Sequence, residues 1–175
     1  MEPISTYAAS ERLRDGRSLT IRALRPEDRE GLLAAVDRFG EQSRYLRFFG
    51  PKRGFSDKEI DYFVNVDFRG HVALVALVDE TARPTVIGGS RYIVTGPGVA
   101  ELACAVADDY QGQGVGTALM RHLIAIASKS GLRELTAEVL ADNAPMLTLL
   151  ARCGLTVSRQ RDGQVVHVVA RLPES

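Results

Sequence analysis

The chain has 175 residues, enough for one domain with a self-sufficient core and too few for two full domains. It is 45% hydrophobic and 25% charged, an ordinary globular balance that excludes general disorder. Lys plus Arg and Asp plus Glu number 22 each, and a net charge of zero denies the chain the positive field on which non-specific nucleic-acid binding relies.

Two cysteines, Cys104 and Cys153, are too far apart in sequence to form a zinc-type or redox pair and read as buried free thiols. The charged N-terminus carries no run resembling a secretory signal, and nothing approaches the ~18 apolar residues of a membrane span. A cytoplasmic protein with no nucleic-acid, membrane or metal partner is the expectation.

In chain order, residues 1–17 lack periodicity and read as an N-terminal extension, an extended lead-in to a domain over 18–173. Ser18 to Leu24 alternates, Leu19, Ile21 and Ala23 on one face against Thr20 and Arg22, and predicts a strand halted by Arg25-Pro26. Pro26 with Glu27, Asp28 and Glu30 opens a helix whose stripe is Leu32, Leu33, Val36 and Phe39, closed by Gly40. Ser43 to Phe55 mixes basic and aromatic residues around the turn Gly50-Pro51 and reads as a loop with anchored aromatics. Ser56-Asp57-Lys58-Glu59 has the form of a capping box, predicting a second helix with Ile60, Phe63 and Val64 inside and a turn near Asp67 to Gly70.

From His71 the period becomes strand-like. Val72 to Val78, Thr85 to Val94 and Val99 to Val106 predict three strands, and their short connections favour an antiparallel meander. After Gly114 the stripe Val115, Leu119, Leu123, Ile126 and Ala127 predicts a helix ending at Ser130-Gly131. A strand at Glu134 to Leu140 follows, then a helix capped by Asp142 or Asn143 and running to about Cys153-Gly154. Two strands paired across Asp162-Gly163 close the chain.

The stretch from Val106 to Thr117 joins a strand to a helix through Gly112, Gly114 and Gly116. Glycines let backbone approach a ligand closely, and unpaired N–H groups at a helix N-terminus converge where the dipole favours negative charge, so a pyrophosphate is the natural ligand. A P-loop requires Gly-Lys-Ser/Thr, where this chain has Gly116-Thr117-Ala118. A dinucleotide fingerprint requires glycine at Thr117 and a βαβ setting. Both readings fail.

The pattern that fits is Gln/Arg-x-x-Gly-x-Gly/Ala, present as Gln111-Gly112-Gln113-Gly114-Val115-Gly116. It resembles the acetyl-coenzyme A loop of the GNAT superfamily of N-acetyltransferases, and the order of elements from Ser18 to Arg171 resembles that fold throughout. The implied fold class is α/β (α+β), a mixed, mainly antiparallel sheet of six to seven strands flanked by about four helices. Within the superfamily, Ser43 to Phe49, Val66-Asp67, His71 to Ala76, Ala100 to Ala103 and Asn143 to Leu147 are similar to runs in the acetyltransferase domain of bacterial protein-lysine acetyltransferases that modify acyl-CoA synthetases.

A lysine amine of pKa ~10.4 is almost wholly protonated at pH 7, so transfer to it needs a base. On the strand feeding the loop, Glu101, Ala103 and Ala105 share one face while Leu102, Cys104 and Val106 share the other. Small neighbours leave room for substrate, and an enclosed carboxylate has a raised pKa suited to proton acceptance, so Glu101 is the candidate general base. The resemblance puts the family's glutamate at the same position. A backbone N–H around Cys104 to Val106 is placed to stabilise charge on a thioester oxygen.

The resemblance further implies that the pantetheine arm pairs with this strand where it splays from the next, and that the pyrophosphate sits on Gly112 to Thr117. It places Asn143 and Met146 with the cofactor-binding residues, although Asn143 read from sequence alone is equally a helix cap. Many family members carry a tyrosine seven residues beyond this asparagine to protonate the leaving thiolate; here position 150 is leucine. Cys153 lies at a helix C-terminus, where the dipole raises a thiol pKa, which favours direct transfer over a cysteine nucleophile. His71, His122 and His167 lack ligand spacing and read as structural, His71 alone having the cleft as an alternative.

The expectation is therefore an acetyl-CoA-dependent N-acetyltransferase. Its acceptor is a protein lysine, as on an acyl-CoA synthetase, with a small-molecule amine or a non-catalytic acetyl-CoA-sensing role as the alternatives.

Overall fold

The structure is a computed structural model that describes residues 3–38 and 56–173. The basic and aromatic loop Ser43 to Phe55, its resemblance to lysine acetyltransferases, and the predicted closure of the first helix at Phe39-Gly40 lie outside the described residues.

Eight strands form one sheet: β1 (Ala8–Arg12), β2 (Ser18–Ala23), β3 (His71–Glu80), β4 (Arg83–Gly96), β5 (Val99–Val106), β6 (Glu134–Leu140), β7 (Thr156–Asp162) and β8 (Val165–Arg171). Their spatial order is β1-β2-β3-β4-β5-β6-β8-β7. Every neighbouring pair is antiparallel except β5 with β6. The mixed, mainly antiparallel sheet of the expectation is present with one strand more than the predicted six to seven. The addition is β1, within the segment read as a lead-in. It is a short edge strand of alternating exposed and half-buried residues, Ala-Ala-Ser-Glu-Arg, held through backbone pairing from Ala8 with Arg22 to Arg12 with Ser18. So polar an edge strand carries no hydrophobic alternation to detect.

The described residues contain four α-helices, α1 (Arg29–Arg38), α2 (Asp57–Val64), α3 (Val115–Lys129) and α4 (Ala144–Ala151). Pro26–Asp28 forms a single 3-10 turn ahead of α1, and Asp28 closes it by accepting from the Arg25 amide at 2.8 Å. The capping box at α2 forms as predicted: Ser56 Oγ accepts from Glu59 N and Glu59 Oε1 accepts from Ser56 N, each at 3.2 Å. Helices α1 and α2 pack together through Leu32, Ile60, Phe63 and Val64.

The two faces of the sheet are covered differently. Ser90 Oγ donates to Leu119 O of α3 at 3.4 Å, so the face bearing Ser90 and its partner Cys104 receives α3. Arg91 Nη1 donates to Phe63 O at 3.1 Å, so the opposite face, with Arg91 and its partner Ala103, receives α2. Gly88 lets α3 and the sheet close, because a Cβ there would lie 2.8 Å from Ala105 O and 3.3 Å from Leu119 Cδ1.

Candidate active site

Strand β5 pairs with β6 only over Val99–Glu101, opposite Glu134–Thr136. From Leu102 to Val106 its other neighbour is β4 alone, so the sheet forks, and Glu101 is the last residue before the fork. The Glu101 side chain is buried, 7% exposed, on the α2 face with Ala103 and Ala105. Cys104 and Val106 point to the α3 face, as the alternation predicts.

Past the strand end, Asp108–Tyr110 makes one 3-10 turn, Gly112 and Gly114 take positive φ of 78° and 90°, and α3 begins at Val115. Gly114 is the N-cap and supplies no side-chain cap, and no acidic residue sits in the first turn of α3. The first amides of this 15-residue helix, which like those of any α-helix have no intrahelical acceptor, also lack a side-chain cap from Gly114, an arrangement suited to an anion. Gln111 braces the turn by donating from Nε2 to Val106 O at 3.1 Å.

A cleft of about 210 Å³ lies against this turn. It collects Cys104 and Val106 from β5, Gln111, Gly112, Gly114, Val115, Gly116 and Thr117 from the turn, and Asn143 and Met146 from the start of α4. Gly116 keeps it open toward α4, since a Cβ there would stand 3.2 Å from Leu149 Cδ2. Asn143, 5% exposed, uses Oδ1 to accept from Met146 N at 3.3 Å, so it caps α4 while lining the cleft. Gln113 is outside the lining; its carbonyl accepts from the Arg14 amide at 3.2 Å. Glu101 is also outside it, on the other face of β5.

Burial pushes the Cys104 thiol up to about 12 and raises Cys153 as well, which keeps both protonated and poorly nucleophilic near neutrality. The cause at Cys153 is burial, where the sequence pointed to the helix dipole; its Sγ also donates to Leu149 O at 3.0 Å. Leu150 is a core residue, 2% exposed, and offers no proton.

His71 is buried on the α2 face. It packs against Tyr62 with ring centroids 5.3 Å apart, and its Nε2 is 2.8 Å from Arg91 Nη1. His122 bridges Tyr7 and Glu11, tying β1 to α3, and His167 lies 3.5 Å from Glu138.

Seven of the lining residues are not among the cofactor-binding residues expected from the sequence, Arg14, Tyr110 and Arg152 among them. Arg14, in the β1–β2 turn, and Arg152, just after α4, both line it. Tyr110 lines it too, and its hydroxyl donates to Glu80 at 2.5 Å while Arg17 and Arg38 approach its ring. Only the fold brings Arg14 and Arg152 to the glycine turn, and no local pattern announces them, whereas Tyr110 directly precedes the turn in sequence.

Comparison with known proteins gives a concordant result. The acetyltransferase (GNAT) family model matches residues 40–155. An acetyltransferase of Pseudomonas aeruginosa is 37% identical over 163 residues, covering 91% of this chain and 88% of that protein. The acetyltransferase Pat of Mycolicibacterium smegmatis is 32% identical over 90% of this chain, which spans only 47% of that longer protein. The crystal structure of the GNAT domain of S. lividans PAT superimposes with a TM-score of 0.82 at 33% identity, covering 94% of this chain and 97% of that domain.

Proposed function

The chain belongs to the acetyltransferase (GNAT) family and is an N-acetyltransferase; from that premise we propose that it uses acetyl-coenzyme A to acetylate the side-chain amine of a protein lysine, with Glu101 as general base. The observation that carries this reading is the fork at β5, where a buried carboxylate, an open strand edge and the uncapped start of α3 meet within one stretch of chain.

The residues fit the cosubstrate. The uncapped amides at the start of α3 suit its pyrophosphate, and the β5 edge from Leu102 to Val106 offers backbone groups to its pantetheine arm. Acetyl-coenzyme A supplies an acyl carbon activated by a thiolate leaving group. Gly112, Gly114 and Gly116 let the main chain close on the phosphates, with Val115 and Thr117 contributing their amides. Cys104 and Val106 act through their backbone at the fork, Asn143 and Met146 close the cleft from α4, and Gln111 holds the strand end in place.

Glu101, enclosed on the opposite face, takes the proton from the acceptor amine, directly or through a water molecule. The buried thiols keep their protons, which supports direct transfer without a cysteine intermediate. With Leu150 in the α4 core, position 150 supplies no general acid, and the thiol carrier departs either as the thiolate or with a proton from another donor.

The lysine preference is supported by the likeness to the S. lividans PAT domain and by the runs around Ala100 to Ala103 and Asn143 to Leu147. Incubation with acetyl-coenzyme A, an acyl-CoA synthetase and a panel of small amines, read by mass spectrometry, tests it. An acetylated lysine is expected; an acetylated metabolite alone would reassign the acceptor, and no product with either would refute the transfer. Glu101→Gln should lower turnover by about 10²-fold or more while coenzyme binding persists.

A further inference from the structure

Resting on the reading that the glycine-turn cleft holds coenzyme A, we infer that Arg14 and Arg152 form a second anion subsite in that cleft, for the 3′-phosphomonoester on the coenzyme's ribose. The protein would thereby select coenzyme A over thiol carriers lacking that group.

The argument starts from charge. Both guanidinium groups line the cleft, and no aspartate or glutamate does, so the described lining carries two positive formal charges and no negative one. Some arginines elsewhere in the chain engage carboxylates: Arg17 with Asp15 at 2.9 Å, Arg22 with Asp28 at 2.7 Å, Arg38 with Glu80 at 3.1 Å. Among the described residues, the side chains of Arg14 and Arg152 make no ion pair or hydrogen bond. Two uncompensated cations beside a turn already equipped with free amides leave more anion-binding capacity than one pyrophosphate uses.

Position supports the same conclusion. The Arg14 amide donates to Gln113 O at 3.2 Å, which fixes the β1–β2 turn against the glycine turn and keeps the Arg14 side chain at the cleft. Arg152 follows α4, whose first residues line the same cleft. Arg14 lies outside the 40–155 segment that the family model matches. A phosphomonoester carries close to two negative charges at pH 7, and the planar guanidinium fork binds phosphate oxygens in pairs.

Isothermal titration of the full chain with coenzyme A and with 3′-dephospho-coenzyme A tests the subsite. The unmodified protein should bind coenzyme A ~10-fold or more tighter, the worth of one or two charge-assisted hydrogen bonds. Arg14→Gln and Arg152→Gln should each shrink that ratio, and the double variant should bring it near unity without weakening dephospho-coenzyme A. Because neither side chain has a partner among the described residues, the variants should fold; a steeper loss of affinity with salt for coenzyme A than for its dephospho form in the unmodified protein provides a second readout. Equal affinity for the two ligands, or a ratio untouched in the double variant, would overturn the subsite and leave the transferase reading standing. Failure of natively folded protein to bind either ligand would instead overturn that reading and the subsite with it.

Discussion

At the scale of single residues, the α2 face of the sheet holds two buried charge-bearing groups. Arg91 is 3% exposed and His71 6%. An arginine has only donors, so His71 Nε2 must accept from Arg91 Nη1, which fixes His71 as the neutral Nδ1–H tautomer. Burial and, after it, the Arg91 charge drive the His71 pKa down to about 4 from 6.5. The folded-state value lies below the unfolded one, so the unfolded chain binds the extra proton first. The stability that neutral His71 confers is complete above pH 6.5 and drains away as pH falls toward 4, by about 3 kcal/mol in all. Urea unfolding at a series of pH values should show this slope in the native protein, and His71→Gln should flatten it between pH 6.5 and 4; an unchanged slope would assign it to other groups.

At the scale of elements, the hairpin between β3 and β4 is closed by two residues, because Glu80 still pairs with Arg83. Both residues of the turn, Thr81 and Ala82, have positive φ, 48° and 64°. That is the backbone of a primed hairpin turn, for which Asn-Gly is the usual sequence, and a left-handed backbone costs a residue with a Cβ about 1–2 kcal/mol. With neither Asn nor Gly at these two positions, the sequence predicts strands only over Val72 to Val78 and Thr85 to Val94, whereas the strands run on to Glu80 and start again at Arg83. Ala82→Gly should stabilise the fold by about 1 kcal/mol, measured as a higher denaturation midpoint with unchanged activity. The Ser56 capping box, by contrast, was legible because its two hydrogen bonds need only residues three apart.

On the scale of the whole molecule, one cluster joins four distant segments. Arg38 at the end of α1 pairs with Glu80 of β3 at 3.1 Å and with Asp109 before the glycine turn at 2.5 Å. Tyr110 donates to the same glutamate at 2.5 Å, and Arg17 of the β1–β2 turn lies 5.2 Å from its ring centroid. The Glu80 carboxyl is held below its ordinary range, first by its hydrogen bonds to Arg38 and next by Tyr110. Partial exposure keeps the energy modest, so Arg38→Gln should cost about 1 kcal/mol in unfolding free energy. Its larger effect should be on the affinity for acetyl-coenzyme A, because Asp109 and Tyr110 set the entry to the glycine turn; titration of the variant checks this, and unaltered affinity would confine the cluster to a stabilising role.

The sequence by itself determined the order of elements from Ser18 to Arg171, the antiparallel meander, the glycine turn ahead of α3 and the face on which Glu101 lies, since each depends on periods of two or 3.6 residues or on turn chemistry within a few positions. Tertiary structure alone decided that Ala8–Arg12 completes the sheet, that Glu101 sits at the fork from β6, and that Arg14 and Arg152 reach the same cleft. Those facts arise from pairing and packing between segments far apart in the chain, and spacing along a sequence carries no measure of such distances.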